Sequence, residues 1–558
     1  MKNWKESWND NSRTFKKYCA QQKLKFQKGL ECPEKAQRDV LDDILSITQA
    51  SEFGREHKLK QVKDIKSLRN NVPIRSYDQY KPWIEREILA KGGVLSTAKL
   101  VRWLKTSGST GSSKKIPYSI HWMENYRSQA LGVLWASYLE AAPEILSHPY
   151  AILDTQTIRE KISSNLNGLP YQGITNRNPI LSNLDWMPPW ANAPWMTDDV
   201  PNGYENRMYY RLRYFLGQDL RVITAINPST LVAMHLHLRK FLPMLVKEVH
   251  NGTFIGKKIF VPNSELAEKI SSFTESSSLT DIWPNLSLIT CWTTASAKLY
   301  KPQLDLIFPG VKVLPFMTCG TEGVVTLPAD LKNQVGVLAI TQGFYEFIPA
   351  EIDLESCLGK DSSVKTLLFN ELEFGKEYHL IMSQANGLYR LAVGDVYKVI
   401  GFVGSVPRIE FVRRHGTYFS FTGEKITESQ MLDSVESAII HSSNKVGLFM
   451  CFPVWGDIPY YRILIETDSY NDVVASVEMA RLIDTKLSEI NEEYQSKRAS
   501  HRLGKVEVSF IKTGVINNYL EDKKSGANAT QYKYKPLQTD FNLCSKLLSA
   551  SNFQEVML

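Results

Sequence analysis

A chain of 558 residues that is 43% hydrophobic and 22% charged is long enough for a large core in two or more domains, and its composition excludes general disorder. The 66 basic and 59 acidic residues leave a net charge of +7, slight at this length and without a Lys/Arg stripe interleaved with aromatics, so nucleic acid is not the expected partner. The cysteines (Cys19, Cys32, Cys291, Cys319, Cys357, Cys451, Cys544) lie far apart with no C-x-x-C pair, which argues against a disulfide scaffold or zinc knuckle; with no apolar leader and no run near the ~18 apolar residues of a membrane span, a soluble, cytoplasmic protein with no membrane partner is expected.

The first hundred residues read as mostly helical and charged. Ala98–Leu104 is rich in branched and aromatic residues and reads as a strand, followed by the loop Thr106-Ser-Gly-Ser-Thr-Gly-Ser-Ser-Lys-Lys115. The runs His148–Leu153, Leu220–Ala225, Asn285–Thr290 and Val311–Phe316 alternate with helical stretches, the order of an α/β domain. Between the second and third, Leu231, Met234, Leu238, Phe241 and Leu245 follow helical spacing behind the start signal Asn227-Pro-Ser-Thr230. His235 and His237 on that helix point about 200° apart and do not form a metal pair. The Pro/Trp-dense stretch Trp186–Trp195 is expected to be aromatic packing in a surface loop rather than a ligand pocket. No repeat or low-complexity tract is present.

From about residue 335 to 413 extended segments with short turns predict an antiparallel or barrel-like subdomain. Thr427 and Gln430 fit a capping box, opening a helix with Met431, Val435, Ala438 and Ile439 on one face. Strands at Val446–Phe452 and Tyr461–Glu466, a long helix over about 471–497 and a strand at Lys505–Lys512 complete a small C-terminal domain. The expected fold is therefore α/β: a large N-terminal domain, 1–420, with α/β sheets and a β-barrel-like subdomain, and a small α/β C-terminal domain, 421–558.

Three short motifs carry chemistry. The Ser/Thr/Gly loop is not a Walker A loop, because Ser113 stands where the second glycine of that motif is required. Gly108 and Gly111, the hydroxyls, and Lys114 and Lys115 nevertheless suit a triphosphate, and an ordinary turn explains the loop about as well. Thr321-Glu322, after the strand Val311–Phe316, pairs a phosphate-binding hydroxyl with a carboxylate able to face Mg²⁺. Gly394-Asp395, within Leu388–Val396, offers a carboxylate to two ribose hydroxyls, although a hairpin turn reads the same.

In this order and at these distances, followed by Arg413-Arg414, the motifs resemble the adenylate-forming superfamily. The stretches FVRRHGTYFSFTGEKITES and Gly526-Ala-Asn-Ala-Thr-Gln-Tyr-Lys533 are similar to the GH3 acyl acid amido synthetases, known from plant auxin and jasmonate conjugation, over about residues 5–540. The resemblance implies ATP and Mg²⁺ as cofactors, with a small mobile C-terminal domain. It implies Ser107, Gly108, Ser109 and Thr110 as the phosphate loop. Thr321 and Glu322 are implied at the α-phosphate, Glu322 as the metal ligand, and Asp395 at the ribose. Arg414 is implied as a catalytic residue at the domain junction, Lys425 as a cofactor-binding residue on the hinge side, and Lys533 as the mobile catalytic lysine. The sequence departs from the family in three places. Thr318 stands where an aromatic residue is usual, Cys291–Ala297 matches the adenine strand-loop only loosely, and Lys535 before Pro536 competes with Lys533.

The implied activity is ATP-dependent joining of a small carboxylic acid to an amine, with an amino acid as the expected amine, through an acyl-adenylate. Acyl-CoA synthesis by the same first step and a non-catalytic nucleotide-binding protein are the alternatives. A monomer or weak dimer is expected.

Overall fold

The computed structural model describes residues 4–105, 114–155, 164–174, 188–196, 204–331, 333–359, 364–414, 418–419, 426–441, 446–454, 458–469, 471–499, 503–524, 534–538 and 540–551. Two compact units divide the chain: Met1–Thr293 with Ile307–Phe411, and Thr294–Leu306 with Val412–Leu558.

In the first unit the N-terminal helix Trp8–Glu31 buries Trp8, Phe15, Cys19, Gln22, Phe26 and Gly29 at helical spacing. It packs on the helix Ser128–Ala141, which is buried on nearly every side from Ala130 to Leu139. The close approach depends on Gly132, where a Cβ would lie 2.6 Å from the Cγ of Gln22. A four-stranded parallel sheet runs in the order Lys312–Pro315, Leu288–Cys291, Val222–Thr224, Ile152–Asp154. The last three are buried throughout, which explains why they read as apolar runs rather than alternating patterns.

The helix predicted from Leu231 to Leu245 spans Pro228–Asn251. His235 and His237 each bond a different backbone carbonyl, Ser277 and Ala233 respectively, both at 2.8 Å. The tryptophan stretch differs from expectation. Trp190 and Trp195 are buried, and Trp190 stacks near Phe15 and Trp135 while donating its indole N–H to Asp154 at 2.9 Å. Their rings fill core space beside the N-terminal helix instead of covering a surface loop, a long-range placement with no local signature.

The extended region 335–413 folds into a six-stranded antiparallel half-barrel. Its order is Thr326–Leu327, Val337–Leu338, Val406–Arg414, Leu391–Val403, Glu377–Ser383, Phe344–Pro349. A second four-stranded sheet of this unit pairs Leu100–Lys105 antiparallel with Lys115–Ser119, Lys105 opposite Lys115.

The second unit has a three-stranded sheet, Val446–Val454, Tyr460–Thr467 and Glu507–Lys512, antiparallel then parallel. Thr427 caps the helix Glu428–Ile440 in the capping box read from the sequence. The predicted long helix stops at Ile490 and restarts at Glu492. Asn491 has extended φ/ψ there and accepts the Tyr494 N–H at 2.8 Å, acting as a new N-cap. The segment Thr294–Leu306 also belongs to this unit: the Tyr300 ring meets Tyr534 edge to face at 6.1 Å, and Lys298 lies 4.0 Å from Glu436.

Glu466, near the end of the central strand, is fully buried and accepts the Ile516 N–H at 2.6 Å, at the start of the helix Val515–Lys524. Burial pushes its carboxyl up to about 7. Between the unfolded pKa of roughly 4.3 and this raised value the folded chain binds the extra proton. Its contribution to stability is therefore full below that window and is lost as pH rises through it. Glu466→Gln is expected to flatten this slope and to stabilise the protein at pH 8 by up to about 3 kcal/mol. Chemical denaturation at pH 5 and pH 8 checks this; an unchanged difference between the two pH values would remove Glu466 as its source.

Candidate active site

The strand Lys312–Pro315 runs directly into Phe316–Gly323. There the chain doubles back: Cys319 bridges Val324, and the Gly320 N–H donates to the Gly323 carbonyl at 2.9 Å. Thr321 and Glu322 thus occupy the tip of a tight turn at the carboxyl end of a parallel sheet, the usual ligand-binding end of such sheets. Both are buried. The Thr321 hydroxyl donates to Glu322 Oε2 at 3.2 Å, while Lys114 Nζ donates to Oε1 at 3.2 Å from 208 residues away in sequence. A Cβ at Gly320 would stand 2.6 Å from Oε2, so a larger residue here would push the carboxylate aside.

Lys114 is set by Tyr77. Ser76 caps the helix Tyr77–Ala90, which fixes Tyr77 at its first turn. The Tyr77 phenol accepts the Lys115 N–H at 2.6 Å, and its ring lies 5.1 Å from Lys114 Nζ. Burial pushes that phenol up to about 12, so it stays neutral and keeps both its donor and acceptor roles.

Asp395 is presented by an irregularity in the sheet. Ile381 pairs with Ala392 and His379 with Val396, so the single residue Leu380 on one strand faces three on the other, Val393, Gly394 and Asp395. Gly394 takes φ +81 within that surplus, a conformation that favours glycine. The start of the strand is firmly held. Arg390, itself at φ +47, donates to the buried Glu346 at 2.7 and 3.2 Å, and Arg69 and Thr366 add further bonds to the same carboxylate. Burial opposes charge on Glu346, but the Arg390 guanidinium and these hydrogen bonds hold it below the usual carboxylate range.

The structure therefore brings Thr321, Glu322 and Lys114 together and places Asp395 on the adjoining half-barrel. Arg414 closes the strand Val406–Arg414. Ser107, Gly108, Ser109, Thr110, Lys425 and Lys533 lie outside the described residues. Thr318, at the base of the turn, donates its N–H to the Thr326 hydroxyl at 3.2 Å, and the Trp292 indole reaches the neighbouring Met317 carbonyl at 3.3 Å. Sequence reading missed Tyr77, Glu346 and the turn residues Gln384 and Asn386. Asn386-Gly387 carries a turn signal, but nothing local names its partner, the carbonyl of Glu322 at 2.8 Å. Among the described residues no group of three His, Cys, Asp or Glu side chains converges as a metal cage. No helix among them is long and apolar enough to cross a membrane.

Residues 22–313 match the GH3 family N-terminal domain, residues 336–414 its central domain and residues 429–541 its C-terminal domain. The chain belongs to the GH3 family, an enzyme family whose matched members are amido synthetases, ligases that form an amide. Among its curated relatives, the Arabidopsis thaliana indole-3-acetic acid-amido synthetase GH3.6 is 23% identical over 552 residues, covering 89% of this chain and 87% of the relative. The indole-3-acetic acid-amido synthetase GH3.3 of the same plant is 25% identical over 542 residues, covering 89% and 88%. The solved structure of GH3.15 acyl acid amido synthetase superposes with a TM-score of 0.76 at 20% identity, covering 93% of this chain and 94% of that one. It is the same fold.

Proposed function

We propose that this protein is an ATP-dependent acyl acid amido synthetase. The carboxylate of a small organic acid attacks the α-phosphorus of ATP and expels pyrophosphate. An amine, in this reading that of an amino acid, then attacks the acyl carbon of the acyl-adenylate, releasing AMP and forming the amide. The observation that carries the proposal is the convergence of Lys114 with Thr321 and Glu322, within a chain that matches all three GH3 domains.

Attack of an anion on a polyphosphate is opposed by like charge, so cationic groups around the phosphates are the main requirement. Lys114 supplies one, steered by Tyr77 and Glu322. A single buried carboxylate with an adjacent hydroxyl, rather than an all-protein cage, fits Mg²⁺, which takes one or two carboxylates and completes its shell with phosphate oxygens and water. Glu322 would hold it, with Thr321 on the α-phosphate; bound there, the ion neutralises charge on the phosphate oxygens. Ser107, Gly108, Ser109 and Thr110 are assigned to the phosphates, Asp395 to the ribose, and Arg414 and Lys425 to the junction. Lys533 is assigned as the transition-state cation. Residues 1–420 carry the adenylation site and residues 421–558 bring Lys533 to it. Seven free cysteines support the reducing cytoplasm as the working compartment.

Pyrophosphate release across a panel of carboxylic acids, with amide product measured in the presence and absence of amino acids, tests the proposal. Adenylation followed by transfer to coenzyme A alone would replace it with an acyl-CoA ligase, and no acid-dependent pyrophosphate would leave a nucleotide-binding protein. Asp395→Ala is expected to raise the KM for ATP about tenfold with kcat nearly unchanged, because a ribose contact is made equally in the ground and transition states. Steady-state kinetics at varied ATP reads this, and a kcat collapse at constant KM would contradict the assignment.

A further inference from the structure

We propose that Asn386 is a positioning residue for Glu322, and that the turn Ser383–Arg390 braces the carboxylate loop at one end and the Asp395 strand at the other. The inference rests on the reading of Glu322 as the metal-facing carboxylate.

Asn386 is 2% exposed and both ends of its amide are engaged. Its Nδ2 donates to the backbone carbonyl of Glu322 at 2.8 Å, and its Oδ1 accepts the Leu388 N–H at 3.2 Å. The carbonyl it holds belongs to the peptide between Glu322 and Gly323. Fixing that plane, in a turn already closed by the Gly320–Gly323 bond, fixes the direction in which the Glu322 side chain leaves the backbone. Gln384 supports the same loop from below. A Cβ on Gly323 would lie 2.7 Å from its side chain, and one on Gly343 would lie 2.2 Å away. The Trp122 indole N–H donates to Gln384 Oε1 at 3.3 Å. The turn itself is closed by the Gln384 N–H on the Leu388 carbonyl at 3.0 Å. Its far end is tied by the Ser383 hydroxyl, which accepts the Arg390 N–H at 2.8 Å, and by the Arg390–Glu346 pair. A short, buried turn held by these hydrogen bonds therefore connects to both carboxylates assigned to the nucleotide: to the Glu322 loop through Asn386 and to the Asp395 strand through Arg390.

Removing the Asn386 amide leaves the Glu322 carbonyl buried without this donor, so the loop must shift to find another. Groups that orient a metal-facing residue typically cost 10–100-fold in metal affinity or activity when lost. Asn386→Ala and the near-isosteric Asn386→Asp, which keeps an acceptor for Leu388 and in its ionised form has no donor for Glu322, are the variants, with Asn386→Asp assayed at the highest pH the fold tolerates so that the carboxyl is ionised. Calorimetric titration of ATP with and without Mg²⁺ is read beside pyrophosphate release, with melting curves reporting the fold.

In both variants the Mg²⁺ concentration for half-maximal enhancement of ATP binding is expected to rise about tenfold or more, with Mg²⁺-free ATP affinity within about twofold. In a Glu322→Gln background, Asn386→Ala is expected to add less than about a threefold further loss, because both act through one carboxylate. A folded Asn386 variant with the unmutated Mg²⁺ response, or one whose loss multiplies fully with that of Glu322→Gln, overturns the inference. If Asn386→Ala fails to fold, Asn386→Asp decides it. A Glu322→Gln protein that keeps the full Mg²⁺ response sinks the underlying reading instead.

Discussion

Lys533→Ala is expected to slow the adenylation step by about a thousandfold while leaving ATP affinity within about twofold. In its proposed role the Lys533 charge acts on the pentacoordinate transition state and not on binding. The same variant supplied with preformed acyl-adenylate is expected to make amide at the unmutated rate, since that half-reaction no longer needs the cation. The neighbouring lysine offers the control. Tyr534 is buried and its phenol accepts the Phe449 N–H at 3.1 Å. Pro536 offers its carbonyl to the Cys451 N–H at 2.7 Å, and Gln538 returns its own N–H to the Cys451 carbonyl at 2.9 Å. Lys535 thus lies in a stretch pinned along the Val446–Val454 strand, and Lys535→Ala is expected to change adenylation less than threefold. Rapid-quench measurement of each half-reaction separates the outcomes. Equal loss in both halves would make Lys533 a structural or acceptor-binding residue, and a severe Lys535→Ala with a mild Lys533→Ala would exchange their roles.

Glu322→Gln is expected to bind ATP yet lose Mg²⁺-dependent pyrophosphate release by roughly 100-fold or more. The amide keeps the shape of the side chain and an acceptor for the Thr321 hydroxyl, and it removes only the charge proposed to face the metal. Lys114, no longer paired with a carboxylate, remains available to the phosphates in the proposed site, so nucleotide affinity is expected to be preserved. Pyrophosphate exchange over a Mg²⁺ series, beside equilibrium ATP binding, checks this. Activity within twofold of the unmutated enzyme at every Mg²⁺ concentration would place the metal ligand elsewhere.

What could be read from the chain alone follows the range of each interaction. The capping box at Thr427 and Gln430 lies within one turn and is legible as a short pattern. So is the helix through Leu231 and Leu245, and so is the divergence of His235 from His237. Thr321-Glu322 and Gly394-Asp395 are individually commonplace; their order and spacing made them legible. Residues that hold the site in shape have no such signature. Tyr77 grips Lys115 from 38 residues away, Glu346 meets Arg390 across 44, and Asn386 reaches Glu322 across 64. Each is an ordinary residue until the half-barrel and the helix Tyr77–Ala90 bring it to its partner. The tryptophans at 190 and 195 differ from expectation for the same reason: Trp190 meets Phe15 of the N-terminal helix, and Trp195 meets Trp4, Tyr150 and Phe215, all distant in sequence. Asn491 was readable in principle, as a cap residue inside a run otherwise fit for one helix.

The assignment of Thr294–Leu306 to the second unit bears on how this protein can be taken apart or recombined. A fragment cut at Val412 would lack the tyrosine whose ring covers Tyr534 and the lysine that approaches Glu436. A chimera that exchanges only the C-terminal quarter with another family member would join foreign strands to a resident segment evolved for different neighbours. The heritable module is discontinuous: thirteen residues embedded in the middle of the sequence travel with its last quarter, and exchanges that keep the two together are the ones that preserve a native interior.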